Sequence, residues 1–419
     1  MAAGKKGTSS CQSGQTALAA RLLERFASEA SAEGSNLIFS PLSIHVALAL
    51  MSAGAAGETL NEILAVAGAP SRDELTEFVA KSVVERVLAD RSGVGGLTVA
   101  FACGAWTDKR YPLKPAYRDT IVGKFKGTAS IVDFRDNPVE SRKQINAWVA
   151  EATRGLITEL LDPNKQSRDT VNVVVNAIYF KGEWRDPFQR ENTVDHEFHR
   201  LDGSSIDVTF MQSWNYQQIA CHDGFKVLKL PYKVMDVDWS SPTFNWKVLQ
   251  STPKFAMCVF LPDARDGLHG LIRKMASSPG FLHDHLPVKS VPVGEFRLPR
   301  FKLAFGGSIV DDLKSLGLVL PFKPTFEANM TGIIKDDAEG PIYVGDVIHK
   351  AVIEVNEEGS VAAAATESDD DMGCSMYDEY VPPTPVDFIA EHPFVFIIIE
   401  ETSGAIVFAG HVLDPAKEE

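Results

Sequence analysis

Few residues in this 419-residue chain stand at spacings that would let them do chemistry. His196-Glu197-Phe198-His199 sets two histidines three positions apart. A zinc-binding His-Glu-x-x-His helix needs them four apart, on one face, so no metal site is expected here. His283-Asp284-His285 is a short polar cluster that reads as loop. Asp369, Asp370, Asp371, Asp378 and Glu379 lack the spacing and the glycine pivot of a calcium loop, and read as a solvated charge run. The chain has no nucleophile elbow, no phosphate-binding loop and no dinucleotide-binding glycine pattern. Cys374 is the best nucleophile on offer, and no basic residue near it in sequence stands ready to lower its pKa. The expectation is a protein with no catalytic residue and no cofactor.

What is unusual lies further along, at Glu357-Glu358-Gly359-Ser360-Val361-Ala362-Ala363-Ala364-Ala365-Thr366. Before it, Ala351-Val352-Ile353-Glu354-Val355-Asn356 alternates as a strand does. After it, a polar and acidic stretch runs to Tyr380 and closes on Val381-Pro382-Pro383-Thr384-Pro385. Four alanines would suit a turn of helix. Gly359 upstream and Asp369 downstream argue against one. The alternative is a segment kept small because its backbone must slide between two existing strands without disturbing the core beneath.

The elements around it are legible by period. Gln15 to Ala30 carries Leu18, Leu22, Leu23 and Phe26 at helical spacing. Ser40 to Ala53 reads as a helix buried nearly all round, with Ser40 as N-cap and Pro41 in the first turn. Helices come next at about 58–67, stopped by Gly68, at about 73–88, and at 142–152 with Ile145, Trp148 and Val149 on one face. Val171-Asn172-Val173-Val174-Val175 is too apolar for an exposed strand and belongs in the middle of a sheet. Phe394–Ile399 and Ala405–Ala409, joined through Gly404, have hairpin spacing. The segment at 233–252 reads as a surface insertion or an imperfect gene model, with no function assigned to it.

Five stretches together resemble the serpin family, from about residue 14 to 417 and in family order. They are the run at Glu357, Asn36-Leu37-Ile38-Phe39-Ser40-Pro41, Asn176-Ala177-Ile178-Tyr179-Phe180-Lys181-Gly182-Glu183-Trp184, the unit from Phe301 to Gly317, and His392-Pro393-Phe394 with Phe408 to Pro415. The alanine-rich hinge looks most like the plant, intracellular branch. The resemblance implies a mixed α/β (α+β) serpin fold: a large, mostly antiparallel central sheet, two further sheets, eight to nine helices and an exposed reactive-centre loop. It divides the chain into a flexible extension at 1–13 and one domain at 14–417, with the loop at about 357–385.

The resemblance also implies a function, suicide inhibition of serine or cysteine endopeptidases, endogenous or foreign. The protease cuts the loop and forms an acyl-enzyme. The cut loop then enters the central sheet as a new strand. About 14 residues at roughly 3.3 Å each add a strand of about 46 Å, and the tethered protease is dragged with it. Some 20 new hydrogen bonds at about 1 kcal/mol net each would release on the order of 10–30 kcal/mol. If Ser360 faces inward after insertion, so do Ala362, Ala364, Thr366, Ser368 and Asp370. Asp370 is then a carboxylate that resists burial. That residue favours the alternative, a non-inhibitory binding or storage protein whose acidic loop is cut as a simple substrate.

Counting sixteen positions from Glu357, as the family does, sets the reactive bond at Gly373–Cys374. Asp371, Met372, Met376 and Tyr377 are the alternatives at the cut. Ser40, Ser43, Asn176 and His349 match family positions where the sheet opens, which implies a polar gate.

Composition agrees. A 45% apolar chain of this length can bury a sizeable core. A net charge of −15 argues against nucleic acid and anionic membranes as partners. Five cysteines at irregular spacing do not make a disulfide framework. No apolar leader comes after Met1, and no stretch is long enough to span a bilayer. The expected protein is a monomer in a reducing compartment, the cytoplasm or also the nucleus.

Overall fold

The helix at Pro41–Gly54 (α2) starts where capping chemistry puts it. Ser40 has extended backbone angles, its Oγ accepts the Ser43 N–H at 3.1 Å, and Pro41 occupies the first turn. Nearly every residue of α2 is buried, because sheets and helices cover it on all sides. The structure is a computed structural model that describes residues 10–90, 97–162, 170–235, 251–278, 280–335, 340–359 and 384–417.

Three sheets surround this axis, with strands numbered in chain order. The seven-stranded sheet has the order β1 (Leu37–Phe39), β16 (Ala405–Val412), β15 (Phe394–Glu400), β9 (Phe255–Pro262), β8 (Phe225–Pro231), β7 (Gln217–His222), β10 (Ser290–Val291). Every neighbour in it is antiparallel. The four-stranded sheet runs β14 (Val386–Ile389), β11 (Val293–Pro299), β6 (Ser205–Met211), β5 (Val194–His199). The five-stranded sheet runs β12 (Phe301–Ser308), β13 (Asp346–Val355), β4 (Asn172–Lys181), β2 (Thr98–Asp108), β3 (Thr128–Val132). Its pairings alternate: β12–β13 and β4–β2 are antiparallel, β13–β4 and β2–β3 parallel.

Burial explains the unbroken apolar run of β4. Val174, Ile178 and Phe180 face the main core beneath α2, while Val173, Val175 and Ala177 face a second, smaller core. The smaller core is capped by Ile145 and Val149 of the helix at Pro138–Ala152 and by Ile157, Leu160 and Leu161 just after it. The sheet is therefore covered on both faces, as a continuous Val/Ile strand requires.

Some expectations need correction. The helix at Ser10–Glu33 (α1) begins inside the extension expected at 1–13, and Cys11 and Gln12 are buried in it. The helix expected at 73–88 is α-helical only over Arg72–Glu77 and continues as a π-helix over Phe78–Val87. His283-Asp284-His285 is not loop. It closes a short helix at Phe281–Asp284, and the His285 Nδ1–H donates to the Phe281 carbonyl at 2.8 Å. His196 and His199 lie on strand β5, in keeping with their spacing, which argues against a zinc-binding helix. Helices at Pro115–Lys124 and Leu268–Ser277 were not anticipated. Of the insertion expected at 233–252, residues 236–250 lie outside the described residues. Among the described residues, no helix is long and apolar enough to cross a membrane.

Candidate functional site

The parallel joint between β13 and β4 is where the singled-out residues meet. Seven residue pairs close it, from Asp346 opposite Val173 to Val352 opposite Tyr179. Its middle pair is polar: His349 stands opposite Asn176. Alternation turns both side chains toward α2, on the face that carries Val347 and Val174. There they meet the start of α2. The Ser40 N–H donates to His349 Nε2 at 3.0 Å, and the Ser43 hydroxyl donates to Asn176 Oδ1 at 3.0 Å. His349 Nδ1–H donates to the same Asn176 oxygen. Ser40 Oγ in turn donates to the Val407 carbonyl of β16 at 2.6 Å.

All four residues of this cluster are fully buried. The donors fix the tautomer: Nε2 accepts, so the proton sits on Nδ1 and the ring is neutral. Burial pushes the His349 pKa down to about 3, so the ring stays neutral under ordinary conditions. Asn176 Nδ2 has no partner among the described residues. A buried amide left unpaired costs about 1–3 kcal/mol.

One end of the joint is closed differently. Beyond Val355, the chain makes a tight turn in which Asn356 N–H donates to Gly359 O at 2.9 Å and Gly359 N–H to Asn356 O at 3.2 Å. The turn is fastened to the segment after β4. Trp184 N–H donates to Glu358 O at 2.9 Å, Phe188 N–H to Glu357 O at 2.8 Å, and the Trp184 indole N–H to Asn356 O at 2.9 Å. Trp184 is buried and stacks on Tyr232 with ring centroids 4.5 Å apart. Gly359 has φ +129°, and a Cβ there would lie 2.2 Å from Gly182 O and 2.7 Å from Trp184 N. Only glycine fits at this position.

The two acids of the run have separate partners. Glu357 is buried, accepts from Thr193 Oγ1 at 2.8 Å and lies 3.5 Å from an Arg300 guanidinium nitrogen. Glu358 pairs with the exposed Arg190. Trp184 was visible in the sequence as the end of the Asn176 stretch, without a role. Thr193, Arg190 and Arg300 carried no signal there at all. Ser360, Val361, Ala362, Ala363, Ala364, Ala365 and Thr366 lie outside the described residues. So do Asp370, Asp371, Met372, Gly373, Cys374, Met376 and Tyr377. Among the described residues, no group of three or more His, Cys, Asp or Glu could hold a metal ion.

Comparison with known proteins bears on what such a joint is. The family model described as serpin (serine protease inhibitor) matches residues 13–415. The chain is a serpin. This serpin is 51% identical over 415 residues to a rice (Oryza sativa subsp. japonica) protein named serpin-Z8, covering 97% of this chain and 96% of that one. Rice serpin-Z2A is 45% identical over 419 residues, covering 96% of this serpin and 97% of the relative. Among solved structures, the native stressed conformation of Arabidopsis AtSerpin1 matches with a TM-score of 0.85 and 36% identity, over 98% of this serpin and 100% of that chain. The family is one of protease inhibitors in general, rather than of enzymes.

Proposed function

We propose that this serpin traps endopeptidases of the serine or cysteine type as a suicide substrate. The observation that carries the reading is the parallel joint. β13 runs along β4 in the same direction and continues into the turn at Gly359. A segment that reverses there and enters between the two strands runs antiparallel to both. It replaces one parallel pairing with two antiparallel ones, which are the more stable kind. The cluster of Ser40, Ser43, Asn176 and His349 gates the joint. Its unpaired Asn176 amide marks the joint as less than fully satisfied while closed.

The chemistry belongs to the protease. Its Ser Oγ or Cys Sγ attacks the scissile carbonyl, the peptide C–N bond breaks, and the new amine leaves on the downstream fragment. The upstream fragment stays as an acyl ester or thioester and inserts, and the protease is carried along before water can cleave the ester. Glu357, Glu358, Gly359 and the small residues from Ser360 to Thr366 act as hinge. The cut falls at Gly373–Cys374, with Asp371, Met372, Met376 and Tyr377 as alternatives. The inhibitor acts as a monomer. A reducing compartment, cytoplasmic or nuclear, suits the free thiols of Cys11, Cys103, Cys221 and Cys258.

Incubation with trypsin, chymotrypsin, a papain-like protease and an Asp-directed protease tests this. The expected result is a complex that survives denaturing gels, with a released C-terminal fragment whose mass identifies the bond. Cutting by all four without a complex, and without a gain in heat resistance, would overturn the reading. It would leave the non-inhibitory binding or storage role that Asp370 favours.

A further inference from the structure

We propose that Trp214 and Tyr216 form a second docking point for the body of the target protease, separate from the bait bond. The inference rests on the inhibitory reading above. Both aromatics are strongly exposed, at 63% and 61% of their surface. They sit in the connection from β6 to β7, between Met211 and Gln217. The turn that presents them is built. Ser213 Oγ accepts from the Asn215 N–H at 3.3 Å and from the Gln217 side-chain amide at 3.1 Å. A rigid turn carrying a Trp and a Tyr in water is what binding hot spots look like, and it has no function inside the fold.

Its location says what binds. Met211 pairs with Leu298 on one side of the connection, and Gln217 pairs with Val291 on the other. The connection therefore joins the two points that flank residues 292–297. Those same residues receive the chain as it returns from the loop. Val386 N–H donates to Pro292 O at 2.9 Å, and Glu295 N–H donates to Asp387 Oδ1 at 2.7 Å. In the four-stranded sheet, β11 thus lies between β6, whose end opens the connection, and β14, which begins the return from the loop.

A protease gripping any of the candidate bonds, from Asp371 to Tyr377, is tied to Val386 by about nine to fifteen residues, a reach of at most about 30–54 Å. A protease of about 220 residues has a radius of gyration of about 17 Å, hence a body of similar size to the tether. Its surface must come down beside the loop's return. An apolar depression on that surface would take the two rings.

The test compares the parent with Trp214→Ala/Tyr216→Ala, and with Phe326→Ala as a control at a distant aromatic that is 81% exposed. The association rate constant and the stoichiometry of inhibition are measured with chymotrypsin, trypsin, a papain-like protease and an Asp-directed protease. Thermal midpoints confirm that all three proteins fold. The double variant is expected to associate at least about tenfold more slowly with the protease the parent inhibits fastest, at unchanged stoichiometry, while Phe326→Ala matches the parent. Rates within about twofold of the parent for every inhibited protease overturn the proposal and leave the inhibitory reading standing. A rise in stoichiometry at unchanged rate also overturns it, since the residues would then act on insertion. If the parent forms no complex at all, the inhibitory reading fails and takes this inference with it.

Discussion

Two sheets of this serpin close in opposite ways. In the seven-stranded sheet, β15 and β16 are buried at every position and pair antiparallel, and Phe408 of β16 packs edge-on against Phe180 of β4, with ring centroids 5.9 Å apart. In the five-stranded sheet, β13 and β4 pair in parallel and meet over a histidine, an asparagine and two serines. Apolar burial is non-directional and tolerates small displacements, so it suits a sheet that stays shut. Hydrogen bonds are directional and hold only at one geometry. A joint made of them is firm while closed, and its closure can be lost in one step.

Acid should reveal both regions at once. His45 on α2, His411 on β16 and His349 in the joint are all fully buried, and burial pushes their pKa values down to about 4, about 4 and about 3. The unfolded chain then binds the extra protons below about pH 6.5, so stability is complete above that pH and falls as pH drops toward 3–4. Each ring should cost about 2 kcal/mol between pH 7 and 5, so about 6 kcal/mol together. Urea unfolding across that range measures it, and His349→Gln should remove about a third of the loss. A flat profile from pH 7 to 5 would break the argument.

The next contrast sets a ring against an amide. Phe408→Ala should cost about 3–5 kcal/mol, as a cavity in a core does. Asn176→Ala leaves the Ser43 hydroxyl and the His349 Nδ1–H buried without their acceptor, at about 2 kcal/mol. The smaller loss should have the larger conformational effect. On mild heating, Asn176→Ala is expected to convert to a heat-resistant form, and Phe408→Ala simply to unfold. If both behave alike on native gels and thermal melts, the two regions do not differ as argued.

The smallest expected effect is at the end of the joint. Glu357→Gln keeps the shape but weakens the contacts to Thr193 and to the half-exposed Arg300. About 1 kcal/mol of lost stability and a modestly faster conversion should result. No change in either would assign the closure of that end to Trp184 and Gly359 alone.

Much of the fold was legible because its signals are local. The Ser40 cap, the stop at Gly68 and the hairpin at Gly404 each come from the chemistry of one or two residues. The π-helical stretch was not, because Phe78, Val79, Val83, Val84 and Val87 suit an α-helix equally well. The helix at Leu268–Ser277 did carry a helical signal, in Leu268, Leu271, Ile272 and Met275, though it lies among strands on both sides. The helix at Phe281–Asp284 is too short to show a period. Strand direction leaves no mark on composition, so neither the parallel joint nor the meeting of His349 with Asn176 could be read from residues alone. The partners of Glu357 and Glu358, at Thr193, Arg190 and Arg300, are remote from them in sequence.

Gly359 has one more consequence. Because any side chain there would collide with the backbone of Gly182 and Trp184, the point of reversal is fixed by sterics and not by the residues downstream. On the inhibitory reading, the pivot and the bait are therefore separable parts. Residues beyond the pivot would be exchanged to suit another protease with the turn at Gly359 unchanged. One scaffold would then acquire new targets without a change to its core.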